Sequence, residues 1–487
     1  MSGGYEAVIG LEVHAQLMVN TKLFCGCSVT AGSEPNTQVC PVCLGHPGAL
    51  PVPNREAIHL AIRAALALDC QVHNYSRFAR KHYFYPDMAK GYQISQFELP
   101  LNGRGQLLIE SEQGERSVGI TRIHVEEDAA KNVHSNFGGR ETLVDYNRGG
   151  VPLIEIVGEP DLRSADEAES YLRRLHELLM YIGVNDGNLE EGSFRCDANV
   201  SIRPVGQEAY GTRTELKNIN SFRFVRQAIE YEIHRQVALV SDGGTVVQET
   251  RSWHEDARKT VPMRGKEQAH DYRYFPDPDL PPLIIKEAEL QRAQESVPEL
   301  PRAMRTRWQE SLGLTAQDAG VLSSHPGIAQ YFSATSNHYQ TLSDEAPAKA
   351  GKRIANFIQS EILGHVTLDG LQANVPVTAE HLATLLTCVH KGEITGKMAK
   401  EVFEAMRTSG KTAPEIIEEK GLKTVSDVGE LENVVQSILE KSASQVASYR
   451  DGNQKLLGYF VGQVMKATSG KADPKVVNQV LKRLLEG

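Results

Sequence analysis

The run GLEVHAQL, residues 10–17, alternates apolar and polar side chains. Leu11, Val13, Ala15 and Leu17 fall on one side and Glu12, His14 and Gln16 on the other, a period of two that predicts a strand. A carboxylate beside an imidazole is able to hold a metal ion or a charged substrate. A face turned to water explains the same pattern, because half-buried strands normally carry polar outer faces. Further carboxylates sit in comparable places. Glu155 is the lone charge in VPLIEIV, and so continuous an apolar run predicts a strand buried on both faces. An ionised carboxylate there has to be paired or metal-bound, with Arg148 as the competing ion-pair partner. In TRIHVEEDAAK, alternation puts Glu127 with Ile123 and Val125 toward the interior; taken alone, the Glu126–Glu127–Asp128 triplet reads as a solvated acidic turn. EEGSFRCDANVSIR adds Glu190, Glu191 and Asp197 beside another β run. Oxygen donors with one imidazole suit magnesium better than zinc.

Basic side chains accompany these acids: Arg80 and Lys81 before HYFYPD, then Arg148, Arg195 and Arg273. Mg2+, acids and cations together are the equipment of phosphoryl transfer, in which positioning and charge neutralisation do most of the catalysis. A P-loop is not part of it. SGKT at 409–412 imitates the end of one, but Ala405 stands where the first glycine belongs and a helical pattern precedes it. Cys25, Cys27, Cys40 and Cys43 form a C-x-C-x12-C-x2-C cluster, the donor set of a tetrahedral structural zinc site, against the plainer reading of four free thiols.

The elements that must position these groups follow from texture. To about residue 290 short strand-like runs alternate irregularly with a few helices, which predicts α+β and not a doubly wound sheet. Asn54 is placed to cap NREAIHLAIRAALAL, and Ser164 with Glu167 has capping-box spacing. YFPDPDLPPL, residues 274–283, reads as a proline-rich exit, beyond which the pattern is helical. The expected division is 1–295 for the front domain, with the zinc loop 25–43, then helical domains at 296–408 and 409–487. At 487 residues the chain is too long for one core, and 40% hydrophobic with 23% charged residues is ordinary for a soluble protein. With no apolar run of membrane length, no signal pattern, and seven cysteines in no disulfide framework, a cytoplasmic location is expected and no membrane partner. The net charge of −10 argues against a generic nucleic-acid binder. Yet Lys441–Gly487 holds eight basic and three acidic residues, net +5 against −15 elsewhere, and such a tail steers polyanions as readily as it makes a solvated face.

IGLEVHAQL, RKHYFYPDMAKGYQISQ, RIHVEEDAAK, VDYNRGGVPLIEIVGEPD, EEGSFRCDANVSIRP, TELKNINSF, QETRSWHEDARKT, DYRYFPDPDLPPL and LLGYFVGQVMKATSGKADPKVVNQVL succeed one another in the order found in one family. The chain resembles, over essentially its whole length, the B subunit of the tRNA-dependent aspartyl/glutamyl amidotransferase; LPVPNREA is a looser match. The resemblance implies a cradle-shaped, glutamine-synthetase-like α+β catalytic domain followed by an all-helical domain and a helical, tRNA-binding tail. It implies ATP-dependent phosphorylation of the side-chain carboxylate of Glu-tRNA(Gln), Asp-tRNA(Asn) or both. Ammonia from an amidase A subunit then displaces phosphate, with a small C subunit completing a heterotrimer. By the same resemblance His14, Glu127 and Glu155 are magnesium ligands, Glu12 serves a second or transient metal, and Lys81 neutralises phosphate charge. Arg148 joins Lys81 as an ATP or phosphate contact, and Lys455, Lys466, Lys471 and Lys475 are the tail residues expected to meet tRNA. The cofactors implied are ATP and Mg2+, with Zn2+ resting on cysteine spacing. Ala130 departs from the family, which usually has glycine there. The choice between tRNA(Gln) and tRNA(Asn) depends on which synthetases accompany the enzyme, a non-discriminating one among them. Two other classes compete: a non-catalytic tRNA-binding scaffold, whose acids are structural, and a metal-dependent kinase of a small molecule.

Overall fold

The alternating N-terminal run becomes the centre of the fold. In the computed structural model, which describes residues 4–134, 142–263, 272–422, 428–468, 472 and 474–486, β1 (Tyr5–Gln16) lies inside an eight-stranded sheet. The other strands are β2 (Gly105–Ser111), β3 (Gly114–Glu127), β4 (Pro152–Gly158), β5 (Phe194–Pro204), β6 (Thr214–Lys217), β7 (Glu249–His254) and β8 (Lys259–Pro262). Their order is β8-β7-β6-β5-β1-β4-β3-β2, antiparallel throughout except for the parallel β6–β7 pair. This is an α+β architecture, as the irregular texture implied.

One face of the sheet is greasy. Val13 and Ala15 of β1, Ile154 and Ile156 of β4, Ile123 and Val125 of β3 and Ala198 and Val200 of β5 are all buried in one core. Helices α1 (Arg55–Ala67), α2 (Ala165–Tyr181) and α3 (Phe222–Ser241) contribute apolar faces to that core. Each begins where its cap requires. Asn54 accepts from the backbone N–H groups of Glu56 and Ala57, Ser164 from Glu167 and Ser221 from Phe224. The capping box expected at Ser164 closes one residue early, because the Glu167 carboxylate takes the backbone N–H of Arg163 at 2.7 Å and the Arg116 guanidinium.

The proline-rich stretch 274–283 is more than an exit. Phe275–Pro276 pairs with Ala79–His82, which in turn pairs with Tyr92–Ser95, and Leu283–Ile284 pairs with Tyr75–Ser76. Two-residue strands carrying prolines leave no periodic signal, so the sequence pattern does not reveal this small sheet. The front unit runs Met1–Pro301. The second unit, Arg302–Gly487, is helical among its described residues apart from a hairpin of Thr367–Asp369 and Gln372–Asn374. The expected break at 408/409 falls within the last turn of helix Gly396–Ser409, which packs on helix Ala413–Glu419. Residues 431–485 have an apolar core of their own, including Leu431, Phe460, Val477 and Leu481.

At the β7–β8 edge a buried charge fixes the sheet to α3. Glu232 receives Arg235 at 2.6 Å, Gln236 at 2.8 Å and Thr260 of β8 at 3.1 Å, and Arg251 of β7 lies at 3.6 Å. Burial opposes ionisation of Glu232, but the hydrogen bonds of Arg235 and Gln236 and the charge of Arg235 outweigh it and lower its pKa. A carboxyl lowered in the folded state contributes stability that is complete above the ordinary glutamate range and is lost as pH falls below it. Glu232→Ala should cost about 3–5 kcal/mol in denaturant unfolding at pH 7, because two guanidinium groups lose their partner. Much of that difference from wild type should vanish in the acid range.

Candidate functional site

The polar face of the sheet collects the acids. Register sets His14 of β1 opposite Glu155 of β4 and Arg195 of β5, and Glu155 opposite His124 of β3. His14 Nε2 lies 3.3 Å from Glu155, 3.8 Å from Glu12 and 3.8 Å from Glu126. His124 Nε2 lies 3.1 Å from Glu155 and 3.4 Å from Glu126. Two overlapping donor sets result, Glu12–His14–Glu155 and His124–Glu126–Glu155, with the ligand atoms of each within 4.8 Å of one another. Burial raises the carboxyl of Glu12 to about 7, with the neighbouring Glu155 charge adding to it. Burial works against charge on His14, and the carboxylates around it, Glu155 foremost, outweigh that and raise its pKa. The same contest lifts His124 to about 9 and holds Glu155 well below the usual range. So much negative charge gathered on buried oxygens, with an imidazole among them, fits a hard divalent cation.

Glu127, expected among the metal ligands, does not belong to this cluster, and Glu126 occupies the polar face in its place. Alternation on β3 sends Glu127 to the face of Ile123 and Val125, opposite His14. Its carboxylate is bound by Lys90 through both oxygens at 2.6 Å and by the backbone N–H of Ile94 at 2.8 Å. His124 and Glu126, absent from the sequence-based set of ligands, occupy the polar face. Their signal is the same alternation that marks Glu12 and His14, read one residue out of phase because Glu127 closes an apolar set. The expected ion pair between Glu155 and Arg148 is not found among the described residues. Arg148 donates to the carbonyls of Ala129 and Ala130 at 2.9 Å and lies 3.7 Å from Asp128, so it braces the 128–130 turn. Ala130 is accommodated there, fully buried and without positive φ. Glu190 and Glu191 are exposed, outside the cluster.

A cavity of about 380 Å³ opens over the acids, lined among others by His14, Lys81, Glu126, Asp128, Arg195 and Lys217. Lys81 enters from the small sheet. Among the described residues it reaches no carboxylate at ion-pair distance, and its Nζ rests 4.8 Å from the centre of the Tyr272 ring. Ser95 of the same sheet donates to Glu126 at 2.9 Å. On the far side Arg195 binds Asp128 at 2.9 Å and Lys217 binds Asp197 and Glu215. Lys217, inside the motif TELKNINSF but not among the site residues expected from sequence, is a further cavity residue. In the tail, Lys455 and Lys466 are exposed. Lys471 and the side chain of Lys475 lie outside the described residues.

The four clustered cysteines meet in the loop between β1 and α1, their sulfurs within 4.8 Å of one another. Cys40 and Cys43 sulfurs are 3.9 Å apart, close to the roughly 3.8 Å of two thiolates on a tetrahedral zinc. The backbone N–H of Cys40 donates to the Cys43 sulfur at 3.2 Å, and the buried Lys22 ammonium lies 3.7 Å from it. A hydrogen bond from Cys25, with Cys40 and Lys22 assisting, pulls the Cys43 thiol down to about 4. The donor set and its spacing fit zinc.

Residues 7–291 match a family model described as the GatB/GatE catalytic domain, and residues 338–485 match one described as the GatB domain. The chain is 52% identical to the B subunit of the aspartyl/glutamyl-tRNA(Asn/Gln) amidotransferase of Geotalea daltonii and 53% identical to that of Geotalea uraniireducens, covering 99% of this chain and 100% of each relative. The protein of the same name from Myxococcus xanthus is 50% identical over 99% of this chain and 98% of its own.

One zinc per chain is expected by atomic emission spectrometry. Cys40→Ser and Cys43→Ser should each lose it and lower the thermal midpoint, whereas a chain purified without metal and indifferent to these substitutions would leave the cysteines as free thiols.

Proposed function

The chain belongs to the family of aspartyl/glutamyl-tRNA(Asn/Gln) amidotransferase B subunits, and on that footing we propose that it carries the ATP-dependent half of the reaction. A side-chain carboxylate oxygen of Glu-tRNA(Gln) or Asp-tRNA(Asn) attacks the γ-phosphorus of ATP. ADP leaves, and the carboxylate becomes an acyl phosphate. Ammonia then attacks the acyl carbon, phosphate departs and a proton is lost, leaving Gln-tRNA(Gln) or Asn-tRNA(Asn). The ammonia comes from an amidase A subunit, and a small C subunit completes the assembly. The sequence does not decide between the two charged tRNAs.

The observation that carries this reading is the cluster of Glu12, His14, Glu126 and Glu155 beneath Lys81, whose ammonium has no carboxylate partner among the described residues. Glu126, His14 and Glu155 hold Mg2+, Glu12 serves a second or transient metal position, and His124 keeps Glu126 and Glu155 apart and oriented. When bound, Mg2+ supplies neutralisation of the charge on the transferring phosphoryl group. Lys81 approaches that charge from the small sheet. Arg195 and Lys217, on the opposite side, hold the acceptor carboxylate against it. The polar face of the large sheet serves as a glutamine-synthetase-like cradle. The helical remainder is taken as a middle domain and a tail, and the tail grips tRNA through backbone and shape, with Lys455, Lys466, Lys471 and Lys475 meeting phosphates. A cytoplasmic site of action goes with this chemistry.

The test is ADP release by the chain assembled with its partner subunits, with Mg2+ and ammonium, in the presence and absence of charged tRNA. Charged-tRNA-dependent ADP release with Gln or Asn recovered from the tRNA is expected. Glu126→Gln should reduce it by about 100-fold or more while tRNA binding persists. Glu127→Gln should weaken the fold through Lys90 and keep activity within about tenfold, as expected of a residue outside the reacting centre. Equal losses in the two variants would cancel the distinction between the two faces. Tight tRNA binding without turnover on either charged tRNA would leave a scaffold, and ADP release indifferent to tRNA a small-molecule kinase.

A further inference from the structure

The cavity over the acids is lined by charged and amide side chains together with Ala129, Leu153 and Ile219. Among its described lining residues the only ring is the imidazole of His14, so the cavity itself offers a purine no aromatic carbon ring to stack on. The rings lie at the rim, on the small sheet that supplies Lys81. Tyr274 immediately precedes the strand Phe275–Pro276, and continuing its register places Tyr274 opposite Lys81. Phe97 follows the strand Tyr92–Ser95 by two residues, and Ser95 is the residue that donates to Glu126. The two rings lie flat on each other, centroids 4.2 Å apart and planes 5° from parallel. Tyr272 meets Tyr274 edge-on at 6.1 Å and carries the Lys81 ammonium over its own face. An offset-parallel pair of this kind is normal inside a core, but Phe97 is 49% exposed. A large ring kept in water, stacked on the tyrosine that stands in register with the cavity's Lys81, is the observation to explain.

Resting on the ATP-dependent reading above, we infer that Phe97 and Tyr274 form the shelf on which the adenine ring of ATP stacks. This gives the site a direction. With its phosphates between Lys81 and the acidic cluster, the nucleotide lies along the small sheet, its base on the aromatic pair. The acceptor carboxylate then enters from the opposite side, over Arg195 and Lys217. The reverse orientation would set the base against Asp197, Lys217, Asn218 and Asn220, where no aromatic face is offered among the described lining residues. Base–aromatic stacking binds through the π face. The pair is therefore an affinity element for the nucleotide and takes no part in the phosphoryl step.

The experiment uses the complex with its partner subunits. Phe97→Ala should raise KM for ATP about tenfold or more, the fold-change expected for loss of one stacked ring, with kcat changing far less. Phe97→Trp should restore it. Inorganic tripolyphosphate, which has no base, should inhibit wild type and Phe97→Ala equally with Mg2+ present. The fluorescence of 2-aminopurine riboside triphosphate should be quenched on binding to wild type and not to Phe97→Ala, a readout that needs no turnover and so survives failure of the functional reading. An unchanged KM for ATP overturns the shelf. So does a rise confined to charged tRNA, which would give the pair to the RNA's terminal nucleoside, and so does loss of partner subunits on gel filtration, which would give it to an interface. Phe97→Leu, which keeps apolar bulk without a π face, separates lost stacking from a fold defect.

Discussion

Three carboxylates, Glu12, Glu126 and Glu155, converge on one imidazole at distances of 3.3 to 3.8 Å, on a sheet whose other face is a sealed apolar core. Carboxylates gathered around one group, those of each donor set within 4.8 Å of one another, repel, and desolvation adds to the cost. The sheet tolerates them because its backbone ladders and its apolar face are stabilised independently of them, and because the residues around the cluster are arranged to share the charge. His124 sits between Glu126 and Glu155 from behind, Ser95 donates to Glu126, and Lys81 faces both acids across the small sheet. The donor chemistry of such a cluster fits a divalent cation, which would complete that sharing.

Strand β3 divides two chemistries between adjacent residues. Glu126 points to the reacting face, and Glu127 to a small cavity shared with Lys22, Lys90, Cys25 and Cys43. A one-residue step along a strand exchanges faces, so EED cannot be assigned by composition or by proximity to a motif. The four-cysteine loop is tied to the same strand end. Leu23 donates to Gly150, which donates in turn to Asp128, while Lys22 spans from Cys43 to the carbonyl of Tyr146. The loop thus steadies the turn that carries Asp128 and Arg148 without offering a ligand to the reacting face.

What is legible in the sequence is what depends on period two. Glu12 and His14 declare themselves in an uninterrupted alternation, and Glu155 stands out against a wholly apolar strand. The α+β class follows from irregular strand and helix texture. Alternation puts Glu127 on the correct side of its own strand, with Ile123 and Val125, yet which side faces His14 depends on pairing between strands distant in sequence, and one chain gives no reading of that. Arg148 looks like a partner for Glu155 because it is near in sequence; the turn it braces is nearer in space. The small sheet stays hidden because strands of two residues with proline have no period at all, and with it goes the route by which Lys81 reaches the acids.

The register also fixes the reach of the site. From Lys217 on β6 to Glu126 on β3 there are four strand intervals, roughly 19 Å at the usual spacing of hydrogen-bonded strands. The proposed reaction would require two substrates to meet end to end across that span, because an acyl phosphate that waits for its nucleophile is lost to water. Side chains on loops would need ordering at each turnover. Side chains on neighbouring strands are held by a ladder that is already formed, so the spacing between Lys217, His14, Glu155 and Glu126 is set when the sheet folds. A sheet eight strands wide, with helices α1, α2 and α3 packed on the apolar face, leaves that row of polar side chains on its other face, where a substrate as large as the charged tRNA proposed above would have to approach.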